Sequence, residues 1–233
     1  MKIALLGYGK MGKTIENLAK QRGHDIVIKT NKETGYDISI ADVAIDFSVP
    51  DAAFNNVVKC FKNRVPVVSG TTGWLDNYNK AVSICNEEQG AFIYASNFSL
   101  GVTIFFELNT QLAKMMANLK DYNVSIEEVH HTQKLDAPSG TAITLAQSII
   151  NEHPAYQKWN LNTETAHSIP ITAKRIADVS GKHTISYSSP TDSISITHNA
   201  NNRQGFAQGA LVAAEWLYGK TGVFTMKDVL KIS

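Results

Sequence analysis

"KIALLGYGKMGKTIENLAK", residues 2 to 20, decides the architecture. The apolar-rich run from residue 2 to residue 6 stops at Gly7, and Ile15, Leu18 and Ala19 then recur at helical spacing. A short run of continuous apolar character that ends on glycine is a strand buried on both faces, so the stretch reads strand, tight turn, helix. Within it Gly7, Gly9 and Gly12 stand in the spacing G-x-G-x-x-G. Gly7 permits the turn, Gly9 lets backbone N–H groups approach a pyrophosphate, and Gly12 allows the helix to lie close on the strand. The turn from Gly7 through Tyr8, Gly9, Lys10 and Met11 to Gly12 is therefore read as the cradle of a dinucleotide. The spacing alone is weak evidence; a strand before it and a helix after it give it weight.

Outward from this turn the same rhythm continues. "HDIVIK", "DVAIDFS", "VPVVSGTTG" and "AFIYAS" read as strands, and "PDAAFNNVVKCFKN" and "LDNYNKAVSICNEE" as helices. Apolar strands alternating with helices predict a parallel sheet covered on both faces, a doubly wound α/β domain. In such a sheet the ligand lies beyond the carboxyl ends of the strands. That placement adds Gly70, Thr71 and Thr72, and then Ala95, Ser96, Asn97 and Phe98, to the candidate cofactor site. At the end of the second strand an acidic partner for the ribose is missing, and Lys29, Thr30, Asn31 and Lys32 stand there, with Glu33 slightly beyond. A cationic, hydroxyl-bearing edge suits a 2'-phosphate, so NADPH is expected to bind at least as well as NADH, with Lys29 a candidate contact.

Past residue 97 the pattern changes. "VTIFFELNTQLAKMMANL" is a long amphipathic helix, "YNVSIEEVHH" a strand, "TAITLAQSIINEH" a helix, and residues 168–200 alternate apolar and polar at period two, as in a meander. The tail from residue 206 returns to helix, with a break between Gly219 and Gly222. The expected organisation is a dinucleotide-binding domain over 1–97, completed by the helical tail 207–233, and a mixed-sheet α+β domain over 98–206 that binds substrate.

The totals exclude several classes. Twenty-two Lys and Arg against 21 Asp and Glu give a formal charge of +1, and 43% of the residues are hydrophobic. Nothing in that balance suggests a nucleic-acid or membrane surface. Cys60 and Cys85 sit in apolar helical patterns, outside any metal-ligand spacing, and no His, Cys, Asp and Glu grouping has such spacing. No metal is expected, and the reading is of a cytoplasmic protein.

One stretch needs more than packing to explain it: "EEVHHTQKLDAPSGTA", residues 127 to 142. Adjacent histidines on a strand point to opposite faces. If the chain turns after His130, Lys134 converges with it on one pocket. An imidazole exchanges protons near neutrality, and an ammonium can donate a proton or orient a carboxylate. Pro138 suits a first helical turn, and the N–H groups around Ser139, Gly140 and Thr141 would offer a carboxylate site backed by the helix dipole.

These residues, together with "GYGKMG", "GTTG", "SNFSLGV" and "HNANNRQGFAQGALVAAEWL", closely resemble the 4-hydroxy-tetrahydrodipicolinate (dihydrodipicolinate) reductase family over essentially the whole chain. The resemblance implies reduction of a small cyclic dicarboxylate by NADPH or NADH with loss of water, in lysine and diaminopimelate synthesis, by a homotetramer. It implies that His130 and Lys134 handle protons and that His131, Ser139, Gly140, Thr141 and Arg203 contact substrate. The glycine turn is one residue shorter than in many members, and the acidic residue after the second strand is not in its usual place. The choice between NADH and NADPH stays open at this point. Other readings are a two-domain amino-acid or semialdehyde dehydrogenase, and a non-catalytic NAD(P)H-binding regulator.

Overall fold

The computed structural model describes residues 1–31, 35–202 and 204–232. The chain divides into two compact units, Met1–Leu100 with Gln204–Ser233, and Gly101–Arg203.

The first unit is built on strands β1 (Lys2–Leu6), β2 (Asp25–Thr30), β3 (Val43–Asp46), β4 (Val67–Ser69) and β5 (Ala91–Tyr94), connected by helices α1 (Lys10–Gln21), α2 (Pro50–Lys62) and α3 (Tyr78–Glu87). The strands form one parallel sheet, in which β3 and β2 flank β1 and the run continues through β4 and β5. Outside the edge strand β2, their apolar residues leave almost no surface: Ile3, Ala4, Leu6, Val43, Val67 and Ile93 are wholly buried, as a sheet with helices on both faces requires. One core cluster joins Ile3, Leu5, Ile15 and Ala19 to the chain's last long helix; the other joins Ala4, Leu6, Val57 and Phe61 to Phe92. Each fully buried Val, Leu, Ile or Phe among them stabilises the unit by about 1.5–3 kcal/mol relative to exposure.

The tail departs from the expected pattern. After α6 (Gln204–Leu217) the chain forms a three-residue strand, β11 (Gly222–Phe224), before α7 (Met226–Leu230). Strand β11 pairs parallel to β5 and becomes the sheet's sixth strand and edge. Periodicity concealed it because three residues between a glycine break and a helix are too few to show a period.

The second unit carries α4 (Leu100–Met116), β6 (Asn123–His130), α5 (Gly140–Glu152), β7 (Lys158–Leu161), β8 (Ser168–Arg175), β9 (Lys182–Ser188) and β10 (Ser193–Asn199). The sheet order is β10-β9-β6-β8-β7, so β8 and β9 are not neighbours as a meander would have them; they flank β6 on opposite sides. Strand β8 runs parallel to β6, and β9 antiparallel to it. Among the described residues, only β9 and β10 form a hairpin. Strand β7 was not legible in the sequence. Val124, Ile126, Glu128 and His130 share one face of β6 by its period of two, and Val124 and Ile126 pack there with Phe105 of α4 and with Leu145 and Ala146 of α5. The opposite face carries polar pairs, including Thr184 with Thr197 at 3.0 Å and Ser186 with Ser195 at 2.8 Å. No helix among the described residues is long and apolar enough to cross a membrane.

Candidate active site

Each unit brings one set of predicted residues together. In the first, the glycine turn has the geometry its spacing requires. Gly7 has φ +98°, and a Cβ there would lie 2.1 Å from the carbonyl oxygen of Phe47; a Cβ on Gly12 would lie 2.4 Å from the carbonyl oxygen of Gly7. Neither position admits a side chain, so strand and helix approach at backbone distance. Gly9 is the N-cap of α1, with open space where a side chain would be, and the first helical turn carries no acid. Free N–H groups at that tip, with the helix dipole behind them, suit a pyrophosphate.

The neighbouring turns are held from below. Asp46, at the end of β3 and wholly buried, accepts hydrogen bonds from Ser69 Oγ at 2.9 Å, Thr71 Oγ1 at 2.8 Å and Asn56 Nδ2 at 2.9 Å. Burial pushes its carboxyl upward against those hydrogen bonds. Thr71 is therefore spent on Asp46, and of the predicted turn Thr72 is exposed and Gly70 half-buried. Phe98 is in the core, 1% exposed and edge-on to Phe47 at 5.9 Å between ring centres. Its side chain is thus a packing group, while Ala95 and Asn97 are half-buried and Ser96 exposed.

Lys29 is also engaged. Its Nζ lies 2.6 Å from Glu16 Oε1, and Lys20 reaches the same oxygen at 2.7 Å. The Tyr8 hydroxyl donates to the other oxygen of Glu16. Hydrogen bonds from Lys20, Lys29 and Tyr8 hold the Glu16 carboxyl down at about 2, so it is an anion throughout the working range. Asn31 Oδ1 accepts the Tyr8 backbone N–H at 2.7 Å. Lys32 and Glu33 lie outside the described residues.

In the second unit, His130 ends β6 and is 9% exposed. The chain turns as expected, with the Lys134 N–H donating to the His131 carbonyl at 3.1 Å. Lys134 then meets both oxygens of Asp136 at 2.8 Å. Ser139 caps α5, its Oγ accepting from the Ala142 N–H at 3.2 Å, so Gly140 and Thr141 lie in the first turn, where helical N–H groups have no partner. Pro138 precedes the cap and does not belong to the first turn; its peptide bond with Ala137 is cis. His131 is half-buried just past the end of β6, and Arg203 lies outside the described residues.

Three further residues complete this set. Glu128, wholly buried, accepts the Ser139 backbone N–H at 3.0 Å and faces His130 Nδ1 at 3.5 Å and His183 Nε2 at 3.7 Å. Arg175 clips the turn to the sheet: its guanidinium lies 3.3 Å from Glu128 Oε1 and donates to the carbonyls of Asp136 at 2.7 Å and Lys134 at 3.3 Å. Glu128 could have been found, because period two places it on the face of His130. Arg175 and His183 carried no local signal; β8 and β9 deliver them from 47 and 44 positions away from Glu128 and Ser139.

Glu128, His130 and His183 also have ligand atoms within 4.8 Å of one another, a grouping that linear spacing could not reveal. With its carboxylate already taken by Ser139 and Arg175, the trio is better described as a polar network than as a metal centre. Burial raises the Glu128 carboxyl, but hydrogen bonds from His183 and Ser139 outweigh it and bring it down to about 2. Burial, then the charge of His183, lowers the His130 imidazole from 6.5 to about 4, against the upward pull of Glu128.

Both shifts make the folded chain bind fewer protons than the unfolded one. Stability therefore declines as pH falls, through the window from 6.5 to about 4 for His130 and from 4.5 to about 2 for Glu128. Thermal melts at successive pH values should show the midpoint already falling below pH 6.5, with a smaller decline in His130→Gln.

A glycine-turned parallel sheet in one unit, and in the other an imidazole, an ammonium and a bare helix tip, define a dinucleotide-binding oxidoreductase. Comparison with known proteins supplies the particular family. The model described as "Dihydrodipicolinate reductase, N-terminus" matches residues 1–98, and "Dihydrodipicolinate reductase, C-terminus" matches residues 101–230. A 4-hydroxy-tetrahydrodipicolinate reductase of Christiangramia forsetii is 60% identical, with 99% of this chain and 98% of that protein covered. One of Neisseria meningitidis serogroup C is 32% identical over 94% of this chain and 84% of its own. Among solved structures, a dipicolinate-bound dihydrodipicolinate reductase from Paenisporosarcina sp. TG-14 superposes with TM-score 0.77 at 24% identity, covering 97% of each chain, which shows the same fold. The chain belongs to the dihydrodipicolinate reductase family.

Proposed function

We propose that this protein is a 4-hydroxy-tetrahydrodipicolinate reductase, reducing its cyclic dicarboxylate with NADPH or NADH and releasing water, in lysine and diaminopimelate synthesis. The observation that carries the reading is the His130, Lys134 and Ser139 set, assembled by one strand end, one turn and one helix tip.

When bound, the dinucleotide supplies a hydride, and the turns Gly7 to Gly12, Gly70 to Thr72 and Ala95 to Phe98 would hold it, Thr71 and Phe98 through their backbone alone. The chain's own residues do the rest. N–H groups at Gly140 and Thr141 grip a ring carboxylate, assisted by Ser139, His131 and Arg203. Lys134 supplies a proton as its ammonium exchanges Asp136 for the anionic substrate. His130, neutral at physiological pH because burial lowers it to about 4, serves as the acceptor or relay. Fixing the ring by its carboxylates accounts for much of the rate. The direct test is NADPH absorbance after purified protein is mixed with substrate freshly made by the preceding synthase. Consumption that requires the synthase product supports the reading; none with either nucleotide overturns it.

For the nucleotide, the Glu16 pair neutralises Lys29, so Lys29 offers a 2'-phosphate less than a free cation would, and both nucleotides are expected to serve. Glu16→Gln should release Lys29 and tighten NADPH relative to NADH by roughly 3- to 10-fold, read as the ratio of dissociation constants from nucleotide fluorescence. An unchanged ratio removes Lys29 from the site. A homotetramer is the expected assembly, and the polar face of the five-stranded sheet is the surface it would use.

A further inference from the structure

We propose that Glu128 is a positioning residue for this reduction, a single buried carboxylate that fixes the tautomer of His130 and at the same time holds the backbone amide opening α5. The proposal rests on the reading of His130 as the proton-handling group, and its tests are chosen to fail separately from that reading.

The geometry is specific. Nδ1 of His130 is buried, makes no hydrogen bond among the described residues, and faces Glu128 Oε2 at 3.5 Å. A carboxylate on that side favours the tautomer that carries its hydrogen on Nδ1, which leaves Nε2 with the lone pair. On the Nε2 side the chain approaches closely: a Cβ on Gly181 would sit 3.3 Å from Nε2. The same Oε2 accepts the Ser139 N–H at 3.0 Å, so the oxygen that orients the imidazole also anchors the helix tip proposed to grip substrate. Moving one moves the other.

The charged and titratable groups around His130 come from four places. Glu128 lies on its own strand, His183 on β9 with rings 5.0 Å apart, and Arg175 on β8, while Lys134 and its partner Asp136 lie on the following turn. Ser139 Oγ, 3.1 Å from His183 Nε2, joins the second histidine to the helix cap. Glu128 is thus the carboxylate on which both histidines, an arginine and a helix amide converge. Arg175 serves it from the other oxygen and keeps Oε2 for the imidazoles and the amide.

The test reads the tautomer directly. Long-range proton–nitrogen NMR on ¹⁵N-histidine-labelled protein distinguishes Nδ1–H from Nε2–H, and the spectrum of His130→Gln identifies the His130 signals. In the unaltered protein near pH 7 the result expected is Nδ1–H; a dominant Nε2–H form overturns the proposal without any variant. Glu128→Gln, which keeps an oxygen for the Ser139 amide and removes the charge, should lose the Nδ1–H bias and lower kcat by roughly 10- to 100-fold, with the NADPH dissociation constant unchanged. Near-normal kcat or an unchanged tautomer overturns it. The His130 titration supplies a further signature: Glu128→Gln should move it to lower pH and His183→Gln to higher pH, because a neighbouring anion and a neighbouring cation act with opposite sign. Shifts of the same sign, or none, count against the proposal. Should Glu128→Gln fold poorly, the unaltered protein and His183→Gln still decide. If His130→Gln itself kept full activity, the proton-handling reading would fall instead, while the tautomer result would stand.

Discussion

Lys134→Ala is expected to reduce kcat by roughly 10²-fold or more while leaving the NADPH dissociation constant unchanged, and His130→Gln to do the same. Charge matters here as much as position. Lys134 is held by both oxygens of Asp136, and that pairing draws the Asp136 carboxyl below its ordinary range. An ammonium already oriented by one carboxylate is set to exchange it for another, and truncation at Ala would remove both the proposed proton donor and the proposed counter-charge for the substrate. Both residues belong to the second unit, whereas the contacts proposed for the nucleotide lie in the first, so those contacts should be untouched. Steady-state kinetics with nucleotide titrations check the split. A variant that lost nucleotide affinity in step with turnover, or kept near-normal turnover, would refute the assignment.

The second large effect is on stability. Gly209→Ala should lower the thermal midpoint by roughly 5–10 °C, the expected consequence of a penalty of about 2–3 kcal/mol in a chain of this size. A Cβ at Gly209 would fall 1.7 Å from the carbonyl oxygen of Phe98, a backbone atom that cannot step aside as a side chain can. Gly205 is the internal control on the same helix: a Cβ there meets only Ser99 Oγ, at 3.6 Å. Ala has the better helix propensity, so Gly205→Ala should be neutral or stabilising by up to about 1 kcal/mol. Equal melting shifts for the two variants would contradict the close approach of α6 to Phe98.

How much was legible follows from what each signal encodes. The parallel sheet was readable because its strands are buried on both faces and so are apolar without interruption, from Ile3 to Leu6 and again from Val43 to Ile45. The stretch read as catalytic is local, with His130, Lys134 and Ser139 within ten positions of one another on the chain, so its turn could be anticipated. What escaped depends on contacts distant in sequence. The place of β6 between β8 and β9 cannot be read from alternation, which reports faces and not neighbours. For the same reason Arg175 and His183 looked like ordinary residues of a strand. Lys29 was legible as a cation at the end of the second strand, but its pairing with Glu16, on α1, was not. Phe98 shows the converse: its position in the chain suggested a ligand contact, and its volume put it in the core.

The strand Gly222–Phe224 and the helix before it belong to the unit that the chain begins. During synthesis the apolar surface of Ile3, Leu5 and Ile15 that α6 covers waits until Ala210, Leu211 and Ala214 have been made. The nascent nucleotide domain therefore leaves the ribosome with an open side and finishes only after the intervening domain has emerged. A stop codon anywhere before residue 204 would strand it in that sticky state, a substrate for chaperones and proteases rather than half an enzyme.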